Sequence, residues 1–121
     1  MSADEISWRV VLSVRPHQLE SFKLLTEEMV EASRKEEGVL SYGRFITDDG
    51  SLIHVYERYQ SSTAAIQHLV EFKRRFGARF STMVDRNQFF VYGTPTEQLK
   101  DLLNDYQPIY LKPFGSLDYW L

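Results

Sequence analysis

The feature that most constrains the fold lies in the middle third of the chain, where two strand-like runs flank a tight turn. Residues 39–47 and 52–59 are rich in aromatic and β-branched residues, which favour strands. Between them, residues 48–50 read Asp-Asp-Gly, a hairpin signal because glycine tolerates a positive φ. The run 61–72 follows, with two serines that can cap a helix and apolar residues every three to four positions. The sequence therefore predicts a strand, a turn, a second strand and a capped helix.

The flanking segments supply the remaining elements of the predicted fold. Residues 8–14 alternate in polarity, which is typical of a strand. An apolar stripe after Pro16 predicts a long amphipathic helix, which Gly38 ends by adopting a left-handed conformation. The apolar residues of 76–84 recur at helical spacing and predict a further helical stretch, and residues 87–93 predict a fourth strand.

The C-terminal segment begins with a helix start signal and ends in an apolar tail. Thr94 can cap a helix, Pro95 suits the first helical position, and Glu97 at the third position completes a capping box. The tail, residues 108–121, is too apolar for a free end. We expect it to pack on its own domain or on another subunit.

The order of these elements predicts an α+β fold of the ferredoxin-like split βαβ type, a four-stranded antiparallel sheet with helices on one face. Residues 1–121 fit a single domain, with a core at 7–93 and a C-terminal helix and apolar tail at 94–121. Aromatic residues make up 14% of the chain, more than a small core requires. The second sheet face needs a cover, and a second copy of the chain can supply it, which predicts a homodimer.

Composition excludes several classes of function. The formal net charge of -3 argues against a nucleic-acid partner, and the absence of cysteine excludes disulfides, thiolate metal sites and cysteine nucleophiles. No apolar run approaches the roughly 20 residues that span a bilayer, so we expect no membrane partner. The polar, acidic N-terminus is unlike a signal peptide. Together these features predict a cytoplasmic protein.

Side chains on the predicted strands suggest a half-polar cavity. The two-residue period places His54 and Tyr56 on one face of the third strand and Glu57 on the other. We expect a structural role for Glu57, either pairing with Arg58 at a strand edge or contact with a helix end. Tyr42 and Arg44 share a face of the second strand. We expect the faces that bear His54, Tyr56, Tyr42 and Arg44 to line one cavity, and a one-residue change of register would reverse this assignment.

Short motifs in the middle of the chain resemble the antibiotic biosynthesis monooxygenase (ABM) domain. On either side of the hairpin and in the following helix, the motifs are Glu36-Glu37-Gly38-Val39-Leu40-Ser41-Tyr42, Val55-Tyr56-Glu57-Arg58-Tyr59 and Ser62…Ala64-Ala65…His68-Leu69. The likeness covers residues 8–93 and implies a small dimeric α+β barrel. The segment after Gly93 resembles an extension found in some members.

The resemblance also implies a class of chemistry. Some members oxidise phenolic, anthrone or quinol compounds with O2 and no cofactor, and others degrade haem. His68 matches the helix histidine of the quinol-oxidising type. The haem-degrading type fits poorly, because residues 76–80 hold no histidine and residues 8–13 lack the expected asparagine. The resemblance therefore implies a cofactor-independent monooxygenase that acts on a small aromatic or quinol-like compound.

Such chemistry needs a base that removes a phenol or α-carbonyl proton and donors that stabilise the resulting oxyanion. Imidazole suits the role of base because it titrates near neutral pH. We predict His68 as the catalytic base and His54 as the second candidate. The predicted substrate-binding residues are Tyr42, Arg44, Tyr56 and Trp8. Each has a plainer interpretation: a histidine bonded to a backbone carbonyl or facing water, or an aromatic or cationic side chain that packs on the sheet or in the core.

Other readings of the sequence compete with the enzyme. The same fold could serve as a non-catalytic module that binds a small hydrophobic molecule or dimerises. A basic cluster is interpreted as a solvated helix face, given the acidic whole; it comprises Lys73, Arg74, Arg75, Arg79 and Arg86. No His-x-x-His or His-x-x-x-His spacing supports a metal site, so none is predicted.

Overall fold

A computed structural model of the chain describes residues 3–117. Its elements in chain order are β1 (Ile6–Val14), α1 (Leu19–Arg34), β2 (Val39–Ile46), β3 (Leu52–Tyr59), α2 (Ser62–Arg75), α3 (Gly77–Met83), β4 (Val84–Tyr92), α4 (Glu97–Leu103) and β5 (Ile109–Leu111). A short 3-10 turn, Asn104–Tyr106, follows α4. No helix of residues 3–117 is both long and apolar enough to cross a membrane.

The strands form one mixed sheet in the order β2-β3-β1-β4-β5. The strands β2, β3, β1 and β4 are antiparallel neighbours in the ferredoxin-like order, as the sequence predicts. The predicted total of four antiparallel strands is wrong, because β5 adds a fifth strand parallel to β4. This strand comes from the apolar tail, where Ile109 pairs with Phe90 and Leu111 with Tyr92.

The core lies between one face of the sheet and the helices. Apolar side chains that alternate along β1, β3 and β4 pack against the inner faces of α1, α2 and α3, and α4 adds two fully buried leucines. The central members are Ile6, Trp8, Val10, Leu12, Phe22, Leu25, Met29, Ile53, Val55, Tyr59, Phe80, Phe89, Val91, Leu99 and Leu103.

Helix capping confirms one sequence prediction and corrects another. The Ser61 side chain accepts a hydrogen bond from the Ala64 N–H (3.2 Å) and caps α2, as predicted. α4 begins at Glu97 and is capped by Thr96, so the predicted start with Thr94 as cap is wrong. The Thr96 N–H donates to Ser62 Oγ (3.1 Å), which ties this segment to α2 before α4 begins.

Gly38 has a different role from the predicted one. α1 ends earlier, at Arg34, and Gly38 is not among the residues with positive φ. A Cβ atom at Gly38 would lie 2.4 Å from the Cβ of Ala64. The glycine is therefore required because the backbone entering β2 passes directly against α2.

Two β-bulges change which side chains face the helices. In β2, Val39 pairs with Tyr59 and Ser41 pairs with Arg58, so Leu40 is an extra residue. A bulge turns the side chains that follow it onto the opposite face from the one that regular alternation gives. Val39 and Tyr42, three positions apart, therefore both face the helices, while residues 41–46 follow the register of the hairpin.

The second bulge lies between β1 and β4. Val11 pairs with Gln88 and Leu12 pairs with Arg86, so Asn87 is the extra residue. Leu12 is on the helix-covered face. The bulge therefore turns Arg86 toward the helices instead of the open face.

The other sheet face carries apolar side chains with no cover from the rest of the described chain. Phe45 is 65% exposed, and Leu52 and Tyr56 are also exposed on this face. In the tail, Phe114 is 91% exposed. The predicted packing of residues 119–121 lies outside the described residues.

The close approach at Gly38 gives a testable prediction. Substitution Gly38→Ala forces β2 and α2 apart, and we expect it to lower the free energy of unfolding by about 1–3 kcal/mol, as overpacking does. Gly115→Ala is the matched control, because nothing lies within 4 Å of a Cβ atom there. Urea denaturation of both variants measures the difference, and equal stability of the two would contradict the steric role of Gly38.

Candidate active site

The Glu57 carboxylate lies at the centre of a hydrogen-bond network between the sheet and the helices. Glu57 is 5% exposed and faces the helices from β3. Its Oε1 accepts hydrogen bonds from Trp8 Nε1 (2.8 Å) and Tyr59 Oη (2.5 Å), and its Oε2 accepts one from Arg44 Nη2 (2.7 Å). Donors on β1, β2 and β3 therefore converge on one carboxylate.

The surroundings keep Glu57 ionised. Burial alone would raise the pKa of its carboxyl, but the Arg44 charge and the hydrogen bond from Tyr59 hold that pKa below its ordinary value. Burial, reinforced by the Glu57 charge, raises the pKa of both Tyr59 and Tyr42. Both phenols therefore stay protonated, and Tyr59 donates its proton in the hydrogen bond to Glu57.

Arg44 is the counter-charge of Glu57, and two of its nitrogen atoms have no hydrogen-bond partner in the described chain. Its guanidinium lies over the Tyr42 ring, with Cζ 3.6 Å from the ring centroid. Burial would lower the pKa of Arg44, but the Glu57 charge raises it instead. Nε and Nη1 of Arg44 are buried and meet no hydrogen-bond acceptor within residues 3–117. A buried unpaired donor costs about 1–3 kcal/mol, so an oxygen atom of a bound molecule would be strongly attracted here.

His68 of α2 supplies a base next to this ion pair. The imidazole is buried, with its Nδ1 3.2 Å from Glu36 Oε2 and its Nε2 3.9 Å from Glu57 Oε1. A carboxylate can only accept a hydrogen bond, which assigns the proton of the neutral ring to Nδ1. Nε2 is then a free lone pair beyond hydrogen-bond distance of Glu57. The rings of Tyr42 and Tyr59 pack against the imidazole at 5.3 and 5.1 Å between centroids.

His68 lies in the wall between two cavities. The inner cavity, about 40 Å³ in volume, lies between the sheet and the helices; its lining includes Trp8, Arg44, Glu57, His68, Phe72, Arg86 and Tyr106. The outer cavity is about 210 Å³ and is lined by residues that include Glu36, Tyr42, His68, Phe72 and Arg75. His68 and Phe72 contribute to both.

The structure brings together four of the six predicted site residues. Trp8, Tyr42 and Arg44 face the helices from the sheet, and His68 faces these side chains from α2. His54 and Tyr56 lie on the opposite, open face, so the expectation that Tyr42 and Arg44 share a cavity with them is wrong. The register of the β2–β3 hairpin is the reason, because it pairs Tyr42 with Glu57 and Arg44 with Val55. The functional roles of these residues remain predictions.

His54 and Tyr56 line a separate groove on the open face. The groove is about 380 Å³ and also contains Arg9 and Phe45. Both predicted residues are exposed there. Within a single subunit they cannot act on a molecule held beside His68.

Sequence analysis does not identify three residues of the site as functional. The sequence analysis gives Glu57 a structural role. Glu57 nevertheless alternates with apolar residues on a core-facing strand, and a carboxylate at such a position is itself a signal of a buried site. Glu36, which orients His68, begins the motif of residues 36–42, and no pattern in that motif marks it as a partner of a histidine. Arg86 was grouped with a solvated cluster, but its guanidinium lies over the rings of Phe80 and Tyr106, at 4.7 and 4.5 Å from the centroids.

This arrangement combines the parts required for proton abstraction. It has a base, a carboxylate that orients the base, and a guanidinium that can stabilise a developing oxyanion. No group of three or more His, Asp or Glu side chains in the described part of the chain is arranged to hold a metal ion. Fold and site thus define a small ferredoxin-like α+β protein with a buried polar network of carboxylate, guanidinium and imidazole groups between the sheet and the helices.

Comparison with known proteins identifies the family. The family model for antibiotic biosynthesis monooxygenase (ABM) matches residues 7–84, and the chain therefore belongs to the ABM family. Comparison with curated protein sequences finds no significant match.

Solved structures share the fold at low sequence identity. MupZ from Pseudomonas fluorescens superposes with a TM-score of 0.84 at 20% identity, covering 95% of this chain and 94% of its own. A conserved protein from Methanosarcina mazei gives a TM-score of 0.68 at 19% identity over 76% of this chain and 94% of its own. Rv0793 from Mycobacterium tuberculosis superposes with a TM-score of 0.59 at 21% identity, covering 77% of this chain and 97% of its own. The larger coverage by MupZ means that its fold includes counterparts of most of the segment after β4.

The buried ion pair predicts a large stability effect of Glu57→Gln. This variant keeps the side-chain shape but leaves the buried Arg44 charge without its counter-ion, and we expect a loss of about 3–5 kcal/mol in the free energy of unfolding at pH 7. Glu28→Gln is the control, because Glu28 pairs with Arg79 at the surface and should cost at most about 1 kcal/mol.

The same pair predicts how stability depends on pH. The pKa of Glu57 is lower in the folded than in the unfolded chain, so the unfolded chain binds more protons between the two values. The stabilisation is complete above the ordinary carboxyl pKa and is lost as pH falls through the folded-state value. Denaturation between pH 7 and 2 should show a shallower decline for Glu57→Gln than for the wild type. Parallel profiles would contradict an ionised Glu57.

Proposed function

We propose that the protein is a cofactor-independent monooxygenase that oxidises a small aromatic or quinol-like compound with O2. The observation that carries this proposal is the position of His68, a buried base oriented by Glu36, with its free Nε2 beside the inner cavity. Membership of the ABM family is consistent with it. The proposed activity therefore belongs to the site between the sheet and the helices.

In the proposed reaction, His68 Nε2 removes a phenol or α-carbonyl proton from the substrate. The resulting oxyanion is stabilised by Nε and Nη1 of Arg44, which have no acceptor in the described chain. The electron-rich anion then reduces O2. When a CH2 group becomes C=O, one oxygen atom enters the substrate, the other leaves as water, and the substrate supplies all four electrons. Trp8 and Tyr42 contribute aromatic walls.

The dimensions of the cavities constrain how a substrate binds. The inner cavity of about 40 Å³ accommodates O2 or a single C–O group but not an aromatic ring. The ring of the substrate must therefore lie at the cavity edge, or the half-buried Phe72 must move. Phe72 also borders the outer cavity of about 210 Å³, so its movement would join the two spaces.

A second candidate function is a non-catalytic module that binds a small molecule or dimerises. The observation in its favour is that the protein's own aromatic side chains occupy most of the space around His68, which leaves the inner cavity small. In this alternative, the buried polar network serves only to hold the sheet and helices together.

Oxygen consumption by the purified protein distinguishes these functions. With a panel of hydroquinones and anthrones, we expect turnover that falls by about 10²–10⁴-fold in His68→Ala, the range for loss of a general base. His54→Ala is the matched control and should keep most of the activity, because His54 lies on the other sheet face. No turnover by the wild type would favour the binding module, and equal turnover in both variants would remove histidine from the mechanism.

We also propose that the protein is a homodimer in which two open sheet faces pack together. This face exposes Phe45, Leu52 and Tyr56, and burial of such side chains contributes about 25 cal/mol per Å² of apolar surface. Dimerisation would also enclose the groove that holds His54.

Light scattering after size-exclusion chromatography tests the dimer. Phe45→Glu places a charge on the proposed interface, and we expect it to shift the mass from two chains to one. Leu24→Glu is a matched control on α1, since Leu24 is 63% exposed and Phe45 is 65% exposed. A monomeric wild type, or a Phe45→Glu variant that remains dimeric, would contradict the proposed interface.

A further inference from the structure

The inner cavity has an excess of positive charge on its walls. Arg44 and Arg86 line it and Glu57 opposes them, so one positive charge remains while His68 is neutral. Arg44 uses only Nη2 in its bond to Glu57. Arg86 contacts two ring faces but forms no ion pair or hydrogen bond with the described part of the chain.

Both arginines reach this cavity from the sheet. The register of the β2–β3 hairpin pairs Arg44 with the buried Val55, so Arg44 faces inward. In β4, the extra residue Asn87 lets Arg86 share the helix-covered face with Phe89, three positions later. Bulges commonly serve to re-aim a side chain beside a functional site. Two cations directed to one small space point to an anionic occupant.

Position within the cavity separates the roles of the two arginines. Arg44 is nine-tenths buried at the closed end, beside Glu57. Arg86 is exposed to solvent on one side and also lines the cavity, so it lies at the mouth. Its guanidinium is held between Phe80 of α3 and Tyr106 of the segment that follows α4.

We infer that the substrate carries a carboxylate group and that Arg86 binds this group at the mouth of the inner cavity, while Arg44 faces the reacting oxygen inside. This inference rests on the proposed function and names its substrate class, an aromatic or quinol-like carboxylic acid. The planar fork of arginine matches a carboxylate with two parallel hydrogen bonds. A single negative charge balances the surplus on the walls, which favours a carboxylate over a phosphate dianion.

Partial burial also lowers the pKa of Arg86, and Tyr106 and Glu57, which act in the other direction, do not offset it. A carboxylate at the mouth would reverse this effect. The ring faces of Phe80 and Tyr106 hold the guanidinium in place, so little side-chain entropy remains to be lost on binding.

Fluorescence of Trp8, which lines the inner cavity, can report binding without turnover. The experiment uses the full chain with Trp120→Phe, so that Trp8 is the only tryptophan. The probes are 4-hydroxybenzoate and its neutral isostere 4-hydroxybenzamide, titrated at pH 7 without O2. We expect the carboxylate to bind at least about tenfold more tightly than the amide, as a charge-assisted hydrogen bond provides.

Variants assign the preference to Arg86. Arg86→Gln should weaken carboxylate binding by about tenfold and leave amide binding unchanged, and Arg86→Lys should restore part of the preference. Arg75→Gln is the matched control, since Arg75 also lies over a phenylalanine ring but borders the outer cavity. Thermal melts verify that each variant is folded.

The outcomes separate this inference from the proposed function. Equal binding of acid and amide, an unchanged Arg86→Gln, or a loss confined to Arg75→Gln would each overturn the carboxylate site. Oxygen uptake with neutral quinols and no preference for acids would overturn the site and keep the monooxygenase. Selective binding of the acid without any oxygen uptake would keep the site and overturn the monooxygenase.

Discussion

The buried ion pair between Glu57 and Arg44 is the constraint on which the site depends. A carboxylate withdrawn from water must be matched by donors, or the cost of burial exceeds what folding can supply. Trp8, Tyr59 and Arg44 meet this requirement from three different strands. Because each is held by the same two oxygen atoms, the walls of the inner cavity are positioned before any ligand binds.

The orientation and the tautomer of His68 are set by the side chains around it. The Tyr42 and Tyr59 rings restrict the imidazole, and Glu36 assigns its proton to Nδ1. Nε2 then lies on the side of Glu57 and the inner cavity, and Nδ1 on the side of Glu36 and the outer cavity. A histidine at the same place on a solvated helix would sample many orientations, and its tautomer would not be defined.

Sequence reasoning recovers the elements of this fold better than the faces of its strands. Apolar periodicity and turn signals predict all four strands of the ferredoxin-like unit, because these patterns reflect burial directly. They do not reveal a bulge, since one extra residue leaves composition and spacing nearly unchanged. Nor do they fix which residues pair across the β2–β3 hairpin, and the observed register places Tyr42 and Arg44 on the other face from His54. β5 was also missed, because three residues pairing with an edge strand are too few to form a pattern.

The bulge at Asn87 has a consequence for the spacing of side chains along β4. The extra residue lets Arg86 and Phe89, three positions apart, share the helix-covered face, whereas regular alternation gives one face to residues two positions apart. A cation and a core aromatic ring therefore border the same inner cavity, a combination that a two-residue period in polarity does not register.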